Sequence, residues 1–475
     1  MPHALISQRN VSILLSFFIV LTGLTYWHRY PTGDDAWFAE QSYWLQKEGV
    51  IRSEFFRGIL GWENQLLVSH KLFLLFGAGL IRLFGYQLPT VQFVGFICFC
   101  VLVAQLIYYV RQHERNNTGW YVLAVLVLVF ANRVMVRMSF ENRPELMLAA
   151  FGFGSFLCLQ SRPTTPVKTV LAAMLAGMAM LAHLNGVIYL IAGFGLLLYQ
   201  RQYKNGLIFA VAGGLTGLLY FVDVMQATNG FSVWYYQFRN DPATQDAFGL
   251  MAKLLVMLTY PKLFFESPEQ AALSLLLVFL LWHQRRLLSR INQPLRVYAL
   301  ILLVSFWLLT KKGSGTYLPL FMPFMFALIY ELYRVNPFKK TALYVVLAVY
   351  FIIGIYGTVE IIYKNFSQQY LPVAYERLRA KISPGQTGLV PLTFFFNEYE
   401  HYSHLLSNEN YKHHATPTTN PAADMATWAY ERDVDFILMD YTYRREDFYP
   451  ELGTEQLPHY KLSYVDNRFA IYKRQ

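Results

Sequence analysis

Tyr30-Pro-Thr-Gly-Asp34-Asp35-Ala-Trp-Phe-Ala-Glu40 follows directly on the first long apolar run of the chain, Val11 to Trp27. Two adjacent carboxylates therefore sit close to where an apolar helix ends. A carboxylate at an apolar boundary loses water, its proton affinity rises, and it becomes a usable general base. The same pair also suits a helix start. Asp35 can cap a helix over 36–47 that Gly49 closes. Capping accounts for one aspartate and leaves the second without a role, so catalysis and capping both stay open here.

Working outward, the composition sets the environment of this stretch. Of 475 residues, 55% are hydrophobic, 17% aromatic and only 15% charged, with a mean hydropathy of +0.29. A soluble protein of this length is more polar, and these values fit a polytopic membrane protein. The net charge of +10 does not point to nucleic acid, because Lys and Arg fall in short clusters between apolar runs and form no continuous stripe. Cys98, Cys100 and Cys158 lie within apolar runs and read as small core residues, with no disulfide framework. The first run is flanked by Arg9 and lacks a small-residue cleavage site, which reads as a retained span.

About 20 apolar residues cross a bilayer. Eleven segments are candidates: 11–27, 88–110, 118–136, 145–160, 168–183, 186–200, 206–225, 269–284, 296–310, 316–333 and 341–362. With the N-terminus inside, the inner connectors carry Arg111 and Arg115, Arg162 and Lys168, Arg201 and Lys204, Arg285, Arg286, Arg290 and Arg296, and Arg334, Lys339 and Lys340. Every inner connector is then basic, as the positive-inside rule requires. An odd number of spans places the C-terminus outside. Arg133, Arg137, Arg143, Lys311 and Lys312 fall on the outer side against that rule. Either they meet anionic headgroups or they bind an anionic ligand.

The first outer loop, 28–87, is long and holds two helical stretches, 36–47 and 64–84. The second carries His70, Lys71 and Arg82 and reads as interfacial. In Ser139-Phe-Glu141-Asn-Arg143-Pro144-Glu145, Pro144 and Glu145 suit the first turn of a span, which leaves Arg143 and Glu141 unexplained. His183 and Asn185 read as a turn between two spans. The segment Gln226 to Pro268 reads as a long polar and aromatic loop. Lys311-Lys312-Gly-Ser-Gly-Thr-Tyr317 places cations and free N–H groups before a span interrupted by Pro319 and Pro323, an arrangement that suits an anion such as phosphate without being a P-loop.

From about Phe366 charge and polarity rise. The readings there are a helix over 371–381, a strand over 387–396, a helix over 422–432, a strand over 436–440 and a hairpin of 460–465 with 469–473. They suggest a small α/β domain over 366–475, outside the membrane, beside a transmembrane domain over 1–365. His401, His404, His413 and His414 match no metal spacing and read as solvated. No internal repeat is present, which weakens a transporter built on duplicated halves.

Gly33-Asp34-Asp35 after span one, Leu83-Phe84-Gly85 closing the first loop, Arg143-Pro144-Glu145 before span four, His183 at the end of span five, and Lys311 through Tyr317 to Pro323 stand in one order on one membrane side. In this the chain resembles the GT-C glycosyltransferases, polytopic enzymes that use polyprenyl-phosphate sugars. The resemblance is to bacterial members akin to protein mannosyltransferases and lipid A aminoarabinose transferases, and covers about the first 330 residues. It implies a mainly α GT-C fold and maps the catalytic acid to Asp34, with Asp35 beside it, and a second acidic site to Glu145. Many relatives carry a His-Pro-Pro-like element in the first loop, whereas this chain has Val68-Ser69-His70-Lys71-Leu72.

The implied activity is an inverting hexosyl- or pentosyltransferase of the bacterial inner membrane. Asp34 serves the acceptor hydroxyl, and Lys311, Lys312, Tyr317 and Arg143 meet the donor phosphate. His70, Lys71 and His183 are further substrate contacts. The expected partners are a polyprenyl-phosphate-linked sugar, membrane lipid and an acceptor that is protein, lipid or glycan. No cofactor is certain; neighbouring carboxylates suit a divalent cation, Mg²⁺ or Mn²⁺, without a complete ligand set. A lipid-linked saccharide flippase and a polysaccharide polymerase or ligase remain as alternatives. Ionisable groups gathered at the outer boundary favour an enzyme over a transport path.

Overall fold

The computed structural model describes residues 7–475 except 115–117, 162, 243, 312–313, 336–339, 395–398, 415–419 and 443–445. The chain is mainly helical with a small C-terminal sheet. Each of the eleven apolar segments is helical over most of its length. Their starts carry the expected signals: Thr165 and Ser267 cap helices that open on Pro166 and Pro268, and Asn292 caps one opening Gln293-Pro294. Among the described residues, Gln8–Tyr26, Leu88–His113, Tyr203–Gln226 and the stretch Thr341–Arg379 are long and apolar enough to cross a membrane. Leu250–Phe265 with Pro268–His283, bent by 92°, makes a fifth if it is one broken span. The other apolar helices are shorter, so eleven crossings are not established by length. Large apolar side chains such as Val20, Leu171, Leu207, Leu215 and Ile352 are exposed, which suits a lipid-facing belt.

The interior is aromatic. Tyr298 stacks on Phe324 at 5.3 Å, and Phe153 and Phe156 close on the same ring. The buried Glu331 accepts from the Tyr109 hydroxyl at 3.1 Å and from Arg334 at 2.8 Å, so no carboxylate oxygen is stranded there. Gly152 lies against Tyr189, where an added Cβ would come within 2.2 Å of the ring.

Two sequence readings change. Gln226 to Pro268 is largely helical, with helices Gly230–Asn240, Leu250–Thr259 and Lys262–Phe265. Its polar residues cluster at 239–246, and the run from Leu250 lacks any Gly or Pro to stop a helix. The second helix of the first loop begins at Lys71, not 64. Residues 51–66 instead fold back on themselves, with Ser53 N donating to Trp62 O at 2.9 Å and Leu66 N to Ile51 O at 2.7 Å. Glu40 anchors this fold-back from the helix Gly33–Glu48, accepting from Ser53 Oγ at 2.6 Å, Glu54 N at 2.5 Å and Phe55 N at 3.1 Å. Burial pushes its carboxyl up to about 7.

The C-terminal strands are β1 (Thr387–Val390), β2 (His404–Ser407), β3 (Phe436–Asp440), β4 (Gln456–Leu457), β5 (Tyr460–Val465) and β6 (Phe469–Arg474). They form one mixed sheet in the order β2-β1-β3-β6-β5-β4, parallel from β2 to β3 and antiparallel beyond. β2 and the helix Asn408–His414 fall where the sequence read only loop. This sheet docks on the fold-back of residues 51–66: Ser407 N donates to Phe55 O at 3.1 Å and Asn410 Nδ2 to Arg57 O at 2.9 Å.

Gly152→Val forces the packed Tyr189 ring to move, a change that costs about 1–3 kcal/mol in well-packed interiors. The expected result is a lower unfolding midpoint in detergent. Gly214→Ala, where nothing lies within 4 Å of an added Cβ, leaves the midpoint unchanged.

Candidate active site

The helix Gly33–Glu48 begins with a capping box. Thr32 Oγ1 accepts from Asp35 N at 3.3 Å, and the Asp35 carboxylate accepts from Thr32 N at 2.6 Å. Successive helical residues point about 100° apart, so the two aspartates separate. Asp35 turns inward and is fully buried. Its Oδ1 accepts from Asn142 N at 2.5 Å, and Asn142 Nδ2 returns a bond to Asp35 O at 3.1 Å. Burial, then the nearby Glu141, push its carboxyl up to about 6. Asp34 turns outward, and 47% of its side chain is exposed.

The Asp34 carboxylate receives Arg143 Nη1. Arg143 also forks onto Glu145, through Nη2 at 2.7 Å and Nε at 3.2 Å. Glu145 opens the helix Glu145–Leu159 directly after Pro144. One guanidinium thus joins two carboxylates 111 positions apart in the chain, Asp34 exposed and Glu145 buried. Burial pulls the Arg143 pKa down, but Glu145 and Asp34 outweigh it and hold the cation on. The trio carries a net single negative charge.

His70 and His183 stack face to face beside it, with ring centroids 4.3 Å apart. Tyr317 meets His183 edge-on at 5.9 Å, and its hydroxyl lies within reach of the charges on Glu145, Arg143 and Asp34. His183 lies in the turn after the helix Pro166–Ala182. Burial, His183 and Arg143 push the His70 pKa well below its usual value. Two imidazoles and a phenol thus lie beside the acidic trio.

Asp34, Glu145, Arg143, His70, His183 and Tyr317 thus converge from separated segments. Lys71 is next to His70 but turns to Asp223, with its ammonium 4.5 Å from the Tyr220 ring. Lys311 lies 3.2 Å over the Phe238 ring and donates to Phe238 O at 3.2 Å. Burial lowers its pKa to about 8. Lys312 lies outside the described residues. Arg133 and Arg137 have carboxylate partners: Arg133 with Glu269 at 3.0 Å and Glu360 at 2.9 Å, and Arg137 with Glu141 at 3.3 Å. Both line a polar cavity of about 260 Å³ with Glu266, Gln270 and Thr316. Asn142 was not singled out by sequence, and nothing local marks it. Asn185 was legible only as a polar residue interrupting an apolar run. Among the described residues no three His, Cys, Asp or Glu side chains come together as a metal site.

No family model and no curated protein matches the sequence. Solved structures do. ArnT from Cupriavidus metallidurans bound to undecaprenyl phosphate is similar at TM-score 0.62 and 14% identity, over 98% of each chain. The Archaeoglobus fulgidus oligosaccharyltransferase in complex with Zn and sulfate is similar at TM-score 0.55 and 12% identity, over 90% of this chain and 68% of that one. AglB from the same organism, with an inhibitory peptide and a dolichol-phosphate, is similar at TM-score 0.51 and 12% identity, over 90% and 69%. The chain shares the fold of these structures over nine-tenths or more of its length.

The raised pKa of Asp35 carries a pH signature. The folded state holds a proton that the unfolded chain has released, so this carboxyl's contribution is full below about 4 and is lost as pH rises through about 6. Asp35→Asn removes that slope from the unfolding midpoint. It also lacks an acceptor for one of three donors, a loss of about 1–3 kcal/mol for a buried bond. Midpoints measured from pH 4 to 7 test both.

Proposed function

We propose that this chain is an integral-membrane glycosyltransferase that moves a sugar from a polyprenyl-phosphate carrier to an acceptor hydroxyl at the outer face of the bacterial inner membrane. The observation that carries the reading is the half-exposed Asp34 carboxylate, held on the buried Arg143 that it shares with Glu145. A transport path requires polar groups spread through the spans, whereas these cluster around the start of the helix Gly33–Glu48. The carrier class rests on the two similar structures, one bound to undecaprenyl phosphate and the other to a dolichol-phosphate. The basic connectors support a cytoplasmic N-terminus and an outer C-terminal sheet.

The chemistry follows from the geometry. Arg143 keeps Asp34 oriented, while the exposed edge of the carboxylate meets the acceptor. Asp34 takes the acceptor proton as the hydroxyl oxygen forms a bond to the anomeric carbon. The bond from that carbon to the phosphate oxygen breaks, the phosphate leaves with the electron pair, and one displacement inverts the centre. Glu145 draws Arg143 inward and fixes where Asp34 is held. The imidazole N–H groups of His70 and His183 and the Tyr317 hydroxyl are donors for the departing phosphate. Lys71 joins them only by exchanging Asp223 for that phosphate, and Lys311 only by leaving Phe238. A divalent cation does not fit between Asp34 and Glu145 while Arg143 occupies that place, so no step is routed through one.

Purified protein in nanodiscs, given a polyprenyl-phosphate sugar and candidate acceptors, is expected to release polyprenyl phosphate. Asp34→Asn is expected to lower that rate on the order of 10²–10⁴-fold, the usual loss with a general base, in a protein that still folds, because Asn keeps an oxygen for Arg143 and the fork onto Glu145 remains. Movement of the lipid-linked sugar across vesicles without cleavage identifies a transporter instead.

A further inference from the structure

The C-terminal sheet reaches the segment that delivers Asp34. Arg468 sits in the turn between β5 and β6, where the Asp466 carboxylate accepts from Arg468 N at 2.7 Å and Phe469 N at 2.6 Å. Its guanidinium forks onto Asp440 at the end of β3, through Nε at 2.9 Å and Nη2 at 2.7 Å. Asp440 is itself braced by Thr442 N at 3.0 Å. Both charges are buried, at 8% and 1% exposure. A planar guanidinium forked onto a buried carboxylate has one orientation. In that orientation Nη2 also donates to the Tyr30 hydroxyl at 3.1 Å.

Tyr30 is fastened at its other end as well. Its backbone N–H donates to Asn365 Oδ1 at 3.1 Å, in the last turn of the helix Lys340–Ser367, and Asn365 Nδ2 donates to Thr25 O at 2.8 Å. Only Pro31, Thr32 and Gly33 separate Tyr30 from Asp34. Proline fixes its own φ and holds the preceding residue extended. Thr32 is locked by the capping box. The segment therefore has little freedom between Tyr30 and the carboxylate, and a displaced Tyr30 ring moves the start of the helix that carries Asp34.

Resting on the glycosyl-transfer reading above, we infer that Arg468, through Tyr30, is a positioning residue for Asp34, so that the C-terminal sheet is part of the support of the active site. Removing the Arg468–Tyr30 bond deletes no group that touches substrate but loosens the segment that aims Asp34. Turnover falls while donor affinity holds.

The test uses the full-length protein in nanodiscs with a polyprenyl-phosphate sugar. Tyr30→Phe deletes one hydroxyl and keeps the ring. Arg468→Lys keeps the charge but cannot fork Asp440 and reach Tyr30 together. Each is expected to lower kcat about 10- to 100-fold, the scale of a small misplacement of a reacting group, with KM for the donor within about twofold. The double variant is expected to be no worse than the poorer single one, because both cut the same bond. Amide hydrogen exchange at residues 31–36 is expected to rise in both. Asp433→Ala, which opens an exposed pair with Arg474 in the same sheet, leaves all of these unchanged. Wild-type kcat in Tyr30→Phe, a loss confined to KM, or effects of the two substitutions that multiply would overturn the inference. If Arg468→Lys does not fold, Tyr30→Phe decides alone. If the wild-type protein releases no polyprenyl phosphate, the functional reading fails, and hydrogen exchange still decides whether the sheet holds the Asp34 segment.

Discussion

Arg143 is a guanidinium with 14% of its side chain exposed, held between a buried glutamate and a half-exposed aspartate. A charge taken out of water costs several kcal/mol unless geometry and hydrogen bonds compensate it. Here the fork onto Glu145 and the third contact to Asp34 supply that compensation. The consequence is spatial. The end of the first helix, the connector before Glu145 and the start of the helix Gly33–Glu48 must converge for Arg143 to be satisfied. The cation that stabilises this corner is also the group that orients the exposed carboxylate of the trio, Asp34.

Around that corner the chain uses separate devices to hold a short link still. Asp35 ties the first turn of its helix to Asn142, the neighbour of Arg143. The Arg29 guanidinium, buried beneath, donates to Arg137 O at 2.9 Å. Glu40 fastens the fold-back of residues 51–66, on which the C-terminal sheet rests. Asn365 and Arg468 take Tyr30 from two further directions. Buried polar groups paired across elements in this way restrict the arrangement more sharply than apolar packing does. They are concentrated around the start of the helix that carries Asp34.

Much of this was legible from residue patterns because the governing signals are local. Apolar run length located the helices. Asp35, Gly49 and Pro144 marked helix ends, although the cap is Thr32 and the helix opens at Gly33, and β3 and the β5–β6 hairpin followed from alternation and the Asp466-Asn467 turn. Pattern alone left capping and catalysis open for the Asp34-Asp35 pair, because the inward side chain, Asp35, is met by Asn142, a residue 107 positions later with no local signature. The partners of the lysines were equally hidden. Lys71 is claimed by Asp223 and Lys311 by the Phe238 ring, contacts that exist only after the intervening helices pack. The helix Leu250–Thr259 was missed because Lys253 and the polar and aromatic residues on either side disguised an otherwise apolar run. β2 was missed because it is four residues long and opens on a histidine.

The central claim is that the Asp34–Arg143–Glu145 trio is where a lipid-phosphate sugar reacts. Cryo-electron microscopy of the protein in nanodiscs with a non-cleavable polyprenyl-phosphate sugar analogue tests it most directly. The account predicts the anomeric carbon beside the open face of Asp34, with the phosphate against His70, His183 and Tyr317 and the Arg143 bridge intact. An analogue bound with its phosphate and sugar remote from Asp34, while the trio stays closed, would contradict it.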